Sequence, residues 1–162
     1  MALFDKILVP TDFGPPSMRA IAMAVELAKL NGASLALVHV WELPSAVYGM
    51  SLPPGIAVHL EAEARAQLAS VVEDAEEHVP VVEAHVECGK PWREILRTIE
   101  QTKPALVVMG TQGRRGLGHA ILGSVAEKLV RVSPVPVLIV RRRVRARARS
   151  RPRIQPWRWP CR

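Results

Sequence analysis

Five short apolar runs, separated by four helical stretches, constrain this chain more than any other feature. The runs are residues 4–10 (FDKILVP), 34–40 (SLALVHV), 81–87 (VVEAHVE), 105–110 (ALVVMG) and 135–140 (VPVLIV). All have the length and residue pattern of strands. Between the first two, Ala20, Ile21, Ala24, Val25, Leu27 and Ala28 recur at helical spacing, and Asn31-Gly32 supplies a stop. Residues 57–78 read as an acidic, alanine-rich amphipathic helix. Pro91 suits a first helical turn, Ile95, Leu96 and Ile99 face inward, and Pro104 closes that segment. Val125, Leu129, Val130 and Val132 stripe the last helix. Strands alternating with helices are satisfied most economically by right-handed crossovers and a mostly parallel sheet, so an α/β fold is expected. No internal repeat is visible. The irregular connection is residues 43–56, whose three prolines and two glycines mark a loop or lid candidate.

A chain of 162 residues with 49% hydrophobic composition is long enough to bury a core without disulfides or a structural metal. Cys88 and Cys161 are its two cysteines, which excludes a disulfide framework or a four-cysteine zinc site. The N-terminal stretch MALFDKILVPTDF lacks the zones of a signal peptide, and no apolar stretch approaches the roughly 20 residues of a membrane span, so a cytoplasmic location is expected. The formal charge of +7 is unevenly spread. Residues 141–162 hold ten arginines and no acid, whereas residues 1–140 hold twelve Lys and Arg against fifteen Asp and Glu. The expected organisation is one folded domain, 1–140, followed by a basic tail, 141–162, that does not fold alone.

In an open parallel sheet, ligands bind beyond the carboxyl ends of the strands, at the switch in strand order. In the order 3-2-1-4-5 the first and fourth strands are neighbours there, which brings Asp12 close to Gly110 and Gly113. Glycines at 110, 113, 116, 118 and 123 follow the fourth strand. Such a cluster marks backbone that curls, adopts positive φ or approaches something closely. Amides at Gly110, Gly113 and the helix start Gly123-Ser124-Val125 can converge on phosphate, helped by the helix dipole, with Arg114 and Arg115 screening charge. The same glycines also suit simple tight turns. Neither a Walker loop nor a Rossmann fingerprint is present.

The spacing Gly110-x2-Gly113-x9-Gly123-Ser124 matches the G-2x-G-9x-G-[ST] pattern of the ATP-binding universal stress proteins. Residues 7–13 (ILVPTDF), 35–41 (LALVHVW), 105–117 (ALVVMGTQGRRGL) and 122–140 also resemble that family, in the same order. The resemblance covers about residues 3–140. It implies a five-stranded parallel sheet in the order 3-2-1-4-5 with helices on both faces, of the adenine nucleotide alpha-hydrolase-like kind, in a homodimer. It further implies that Pro10, Thr11 and Asp12 line the adenosine end, Asp12 making the polar contact to base or ribose, while Val40 and Met109 wall the adenine. Gly110, Gly113, Gly123, Ser124 and Val125 would wrap ribose and phosphates, with Arg114 nearby and Mg2+ bridging phosphate oxygens. Two departures stand out. Thr111-Gln112 lacks the basic or histidine residue often found in this loop, and the arginine-rich tail is foreign to the family pattern.

Plainer roles exist for several of these residues. Asp12 can cap the turn or helix that follows it, and Val40 and Met109 can be ordinary core. His39 reads as a core residue rather than a base, His59 and His78 show no metal spacing, and His119 reads as a surface residue near the loop. Cys88 is assigned no function. The sequence offers no nucleophile, base and orienting group in sequence-readable form, no H-E-x-x-H and no paired carboxylates for the cleft. The expected function is therefore ATP binding in a stress-response regulator or protective factor, with at most slow hydrolysis. One alternative is an ATPase or ATP-using enzyme in the same cleft. Another is binding of nucleic acid or anionic membrane through the tail, with Trp157 and Trp159 stacking or anchoring. The apolar run 135–140 suits an edge strand paired across a dimer axis, with Val135, Val137 and Ile139 on one face. An unidentified protein partner completes the expected set.

Overall fold

The computed structural model describes residues 4–43, 55–80, 82–111 and 122–141. Their element order is β1 (Lys6–Thr11), α1 (Pro15–Asn31), β2 (Ser34–Trp41), α2 (Ile56–Glu76), β3 (Val82–Cys88), α3 (Pro91–Thr102), β4 (Leu106–Gly110), α4 (Ser124–Val132) and β5 (Val137–Val140). The five strands form one sheet in the order β3-β2-β1-β4-β5, and every pairing is parallel. The greater part of the lid candidate lies outside the described residues.

Alternation along the strands sends side chains to two cores. Ile7, Val9, Leu35, Leu37, Leu106 and Val108 meet α1 and α2 through Ala20, Ile21, Ala24, Leu68 and Ala75. Leu8, Ala36, Val38, Val107 and Met109 meet α3 and α4 through Ile95, Ile99, Ala126 and Leu129. Because both faces are covered, β1 is buried from Ile7 through Thr11 and β4 over its whole length. Each large aliphatic side chain buried here contributes about 1.5–3 kcal/mol relative to exposure.

Local signals set the helix ends. Pro15 and Pro16 occupy the first turn of α1, where a missing N–H costs nothing, and Gly32 ends it at φ 66°, a conformation that favours glycine. The stripe expected on α4 is narrower than its sequence suggests. Ala126 and Leu129 are buried, but Val130 and Val132 point outward, 50% and 40% exposed. A nine-residue helix lying on one sheet face can bury only one side. Among the described residues no helix is long and apolar enough to cross a membrane.

Candidate functional site

β1 ends between β2 and β4, at the switch in strand order, and its last residues carry a polar network. Thr11 Oγ1 accepts a hydrogen bond from the Phe13 amide at 3.0 Å, and Asp12 Oδ1 accepts one from the Gly14 amide at 3.0 Å. Ser17, buried in the first turn of α1, lies 2.7 Å from Asp12 Oδ1 and accepts from Thr11 Oγ1 at 3.2 Å. Two consecutive side-chain turns thus fold the chain from strand into helix. Phe13 adopts φ 61°, a conformation uncommon for a bulky residue. Its ring lies 4.4 Å from that of His39, whose Nδ1 is 2.8 Å from the Thr11 carbonyl oxygen. A carbonyl only accepts, so this contact requires a proton on Nδ1.

Asp12 therefore performs the turn-capping duty that its sequence position allows. His39 and Ser17, which the motif does not include, fasten the same rim. Ser17 does leave a signal in the sequence: it is a polar residue on the stripe that continues through Ala20, Ile21 and Ala24. Phe13 and His39 leave no such trace, because their meeting depends on the β1–β2 register, which pairs Thr11 with His39.

Across the switch point stands the start of α4. Gly123 N–H donates to the Thr111 carbonyl at 2.7 Å, tying this helix end to the end of β4. The first intrahelical bond runs from Glu127 N–H to Gly123 O, and no side chain caps this end among the described residues. The amides of Ser124, Val125 and Ala126 thus have no acceptor within the helix, and Ser124 is exposed. α1 differs. Its first two positions are prolines, so only Ser17 N–H remains of its first-turn donors. The electropositive, donor-rich helix end at this rim belongs to α4.

Gly110 is buried, and a Cβ placed on it would lie 2.7 Å from the Pro16 carbonyl carbon and oxygen. Close approach, rather than positive φ, explains this glycine. Gly123, at φ −61° and ψ 150°, likewise uses ordinary extended backbone. Pro10 and Met109 are buried and Val40 is half-buried. Val40 and Met109 both join the α3–α4 core, so each has a packing role. Gly113 and Arg114 lie outside the described residues.

Among the described residues no cluster of three or more His, Cys, Asp or Glu gathers to hold a metal ion. Cys88, at the end of β3, is exposed. Desolvation, followed by the charges of Glu61 and Glu94, pushes its thiol up. That is the reverse of what a reactive thiolate needs.

The family model for the universal stress protein family matches residues 3–141. The chain belongs to that family. Universal stress protein MJ0531 of Methanocaldococcus jannaschii is 33% identical over 143 residues, which cover 86% of this chain and 84% of that protein. The solved structure of protein MJ0577 superposes with a TM-score of 0.71 at 24% identity, covering 86% of this chain and 97% of that one, a likeness of fold. A universal stress protein solved in complex with cAMP superposes with a TM-score of 0.66 at 25% identity, covering 87% and 98%. In this universal stress protein, the strand order and the rim at β1, β4 and α4 are thus set in a fold shared by its relatives.

Proposed function

We propose that this universal stress protein binds an adenine nucleotide, ATP in the first instance, across the rim between β1 and β4, and acts as a nucleotide-dependent regulator or protective factor. The observation that carries this reading is the start of α4: amides without intrahelical acceptors, tied to β4 through Gly123 and Thr111 and left without a side-chain cap among the described residues. Such an end favours phosphate oxygens by both hydrogen bonding and dipole. In this reading Gly110, Gly123, Ser124 and Val125 follow the ribose and phosphates, and Gly113 and Arg114 extend the same loop. Pro10, Val40 and Met109 face the base. Thr11 and Asp12 hold the adenosine end, where the Asp12 carboxylate keeps Oδ1 on the turn and meets base or ribose. A Mg2+ bound with the nucleotide would offset the charge of its phosphates. The complex of a similar protein with cAMP supports the adenine class.

We read the assembly as a homodimer through the strand at Val135–Val140. β5 lies at the sheet edge, with Val130, Val132 and Leu138 exposed on it and on neighbouring α4. Val135, Val137 and Ile139 pack partly on the protein's own α3–α4 core, so Leu138 adds a contact that the sequence pattern does not single out.

The nucleotide reading is tested by melting the nucleotide-depleted protein with and without ATP and Mg2+. Ligand at about 100 times its dissociation constant stabilises by about 2.7 kcal/mol, which gives a readable upward shift. Gly123→Val, which places a branched side chain where α4 must meet the phosphates, is expected to remove the shift. Wild-type protein whose melting ignores ATP would sink the proposal.

A further inference from the structure

α1 and α2 cover the same face of the sheet without closing over it, and two hollows open between them. The first, of about 320 Å³, has the buried Ile21, Val25 and Ala75 as its floor, Met18 and Val71 as its walls, and Glu26 and Asp74 at its margin. The second, of about 280 Å³, lies against Ala28, Ala33, Val79 and Pro80, with Lys29 beside it. His78 lines both, so the two form one trough along α1. Their centres are about two turns of α1 apart, roughly 11 Å.

The margin of this trough carries charge that the fold leaves unanswered. α2 runs out through Glu73, Asp74, Glu76 and Glu77, all exposed, and its last turn holds no basic residue. Acids at the carboxyl end of a helix oppose its dipole. None of the four has an ion-pair partner among the described residues, whereas Glu26 is held by Lys29, Glu61 by Arg65, Glu87 and Glu94 by Arg97, and Glu127 by Arg131. An apolar floor beneath unpaired negative charge is complementary to a segment that is apolar on one side and cationic on the other.

We propose that the trough between α1 and α2 is the docking surface for a helical segment of another protein, its apolar side chains directed into the two hollows and its arginines or lysines facing the carboxyl end of α2. The partner lies between α1 and α2 as a third helix of that layer, the helix-in-groove mode of recognition. Spacing selects a helix for this role, since apolar residues at i and i+7 stand about 10.5 Å apart, as the hollows do. Met18 at the mouth is exposed, and its unbranched side chain adapts to what packs against it. The surface stands independently of the nucleotide reading, because the trough runs along the α1–α2 layer away from α4.

The test is fluorescence anisotropy on the full chain with three labelled probes: an amphipathic leucine–arginine peptide of about four helical turns, a scrambled peptide of the same composition, and a peptide of residues 142–162. Two variants accompany the wild type. Ala22→Phe fills the first hollow from its exposed edge, and the double Asp74→Lys/Glu77→Lys reverses the charge at its margin. Ligand-free melting checks that each is folded, and the double is expected to melt no lower than wild type, because lysine suits a helix carboxyl end. The amphipathic peptide is expected to bind wild type, and each variant to raise its dissociation constant about tenfold or more, as for one displaced apolar anchor or lost charge pairing. The scrambled peptide is expected to bind about tenfold more weakly than the amphipathic one. Equal binding of those two peptides overturns the proposal, as does binding that Ala22→Phe leaves unchanged, since charge alone then holds the peptide. Absence of binding at about 1 mM peptide overturns it as well. Tighter binding of the 142–162 peptide than of the amphipathic one assigns the trough to this chain's own arginine segment and overturns the reading of a separate partner.

Discussion

The 2.7 Å separation between a Cβ on Gly110 and the Pro16 carbonyl turns one glycine into the hinge between sheet and helix. The obstruction is backbone, which cannot swing aside like the end of a flexible side chain. Gly110→Ala is therefore expected to destabilise the fold by about 1–3 kcal/mol, measured by urea unfolding, through displacement of the start of α1. A change within a few tenths of a kcal/mol would show that α1 yields freely. Nucleotide affinity should fall too, since the same displacement moves the turn that holds Asp12. Ser17 and His39 act similarly at this scale: each holds atoms of Thr11 or Asp12, and neither belongs to the glycine pattern.

Among the elements, α1 and α4 differ in how many first-turn amides they leave without a helical acceptor, and the proposed anion site is read from that contrast. Both begin at the strand ends flanking the switch point, yet prolines leave α1 only the Ser17 N–H while α4 keeps the amides of Ser124, Val125 and Ala126. The β1–β2–β3 half of the sheet carries a different charge feature. Lys6 Nζ lies 2.6 Å from Glu83 Oε1. That hydrogen bond holds the Glu83 carboxyl below its usual range, partial burial opposes it, and the Lys6 charge and His85 add to it. A depressed folded pKa stabilises above the ordinary carboxylate value of about 4.3 and is lost as pH falls through the folded value. Glu83→Gln should consequently make the melting temperature less sensitive to acidification below about pH 4.3. The effect is expected to be small, because the Glu83 side chain is 38% exposed and solvent screens the pair. An unaltered acid profile would show that the pair contributes nothing measurable.

For the whole molecule, the sheet has one end at β3 and the other at β5, and the β5 end carries both exposed apolar side chains and the first arginine of the tail. A dimer built on β5 brings two such arginine segments together. Their repulsion is screened by salt, with a Debye length that falls from about 10 Å at 0.1 M to about 3 Å at 1 M. Sedimentation at two salt concentrations should show more dimer at the higher one, and Leu138→Lys should shift the population to monomer at both. A monomer that ignores salt would exclude pairing through this strand.

Much of the architecture is legible in the residue order, because strand and helix differ in hydrophobic period and the chain alternates between them. The tract 105–110 reads as a buried strand and becomes β4, and Asn31-Gly32 stops α1 as expected. The outward turn of Val130 and Val132 is not legible, since apolar spacing does not reveal how much of a short helix its sheet can cover. Nor is the reason for Gly110, for a sequence shows that a side chain is missing without showing what occupies its space.

Residue order alone determined the fold class and the family resemblance, as well as the division between a mildly acidic body and an arginine-rich end. Only the tertiary structure decided that Ser17 bonds Asp12 and His39 the Thr11 carbonyl, that the first-turn amides of α4 rather than α1 stay without helical acceptors, and that β4 and β5 end in register at one rim. Each of these is a meeting between residues remote along the chain, set by strand register and helix approach, and such meetings exist only once the elements have packed.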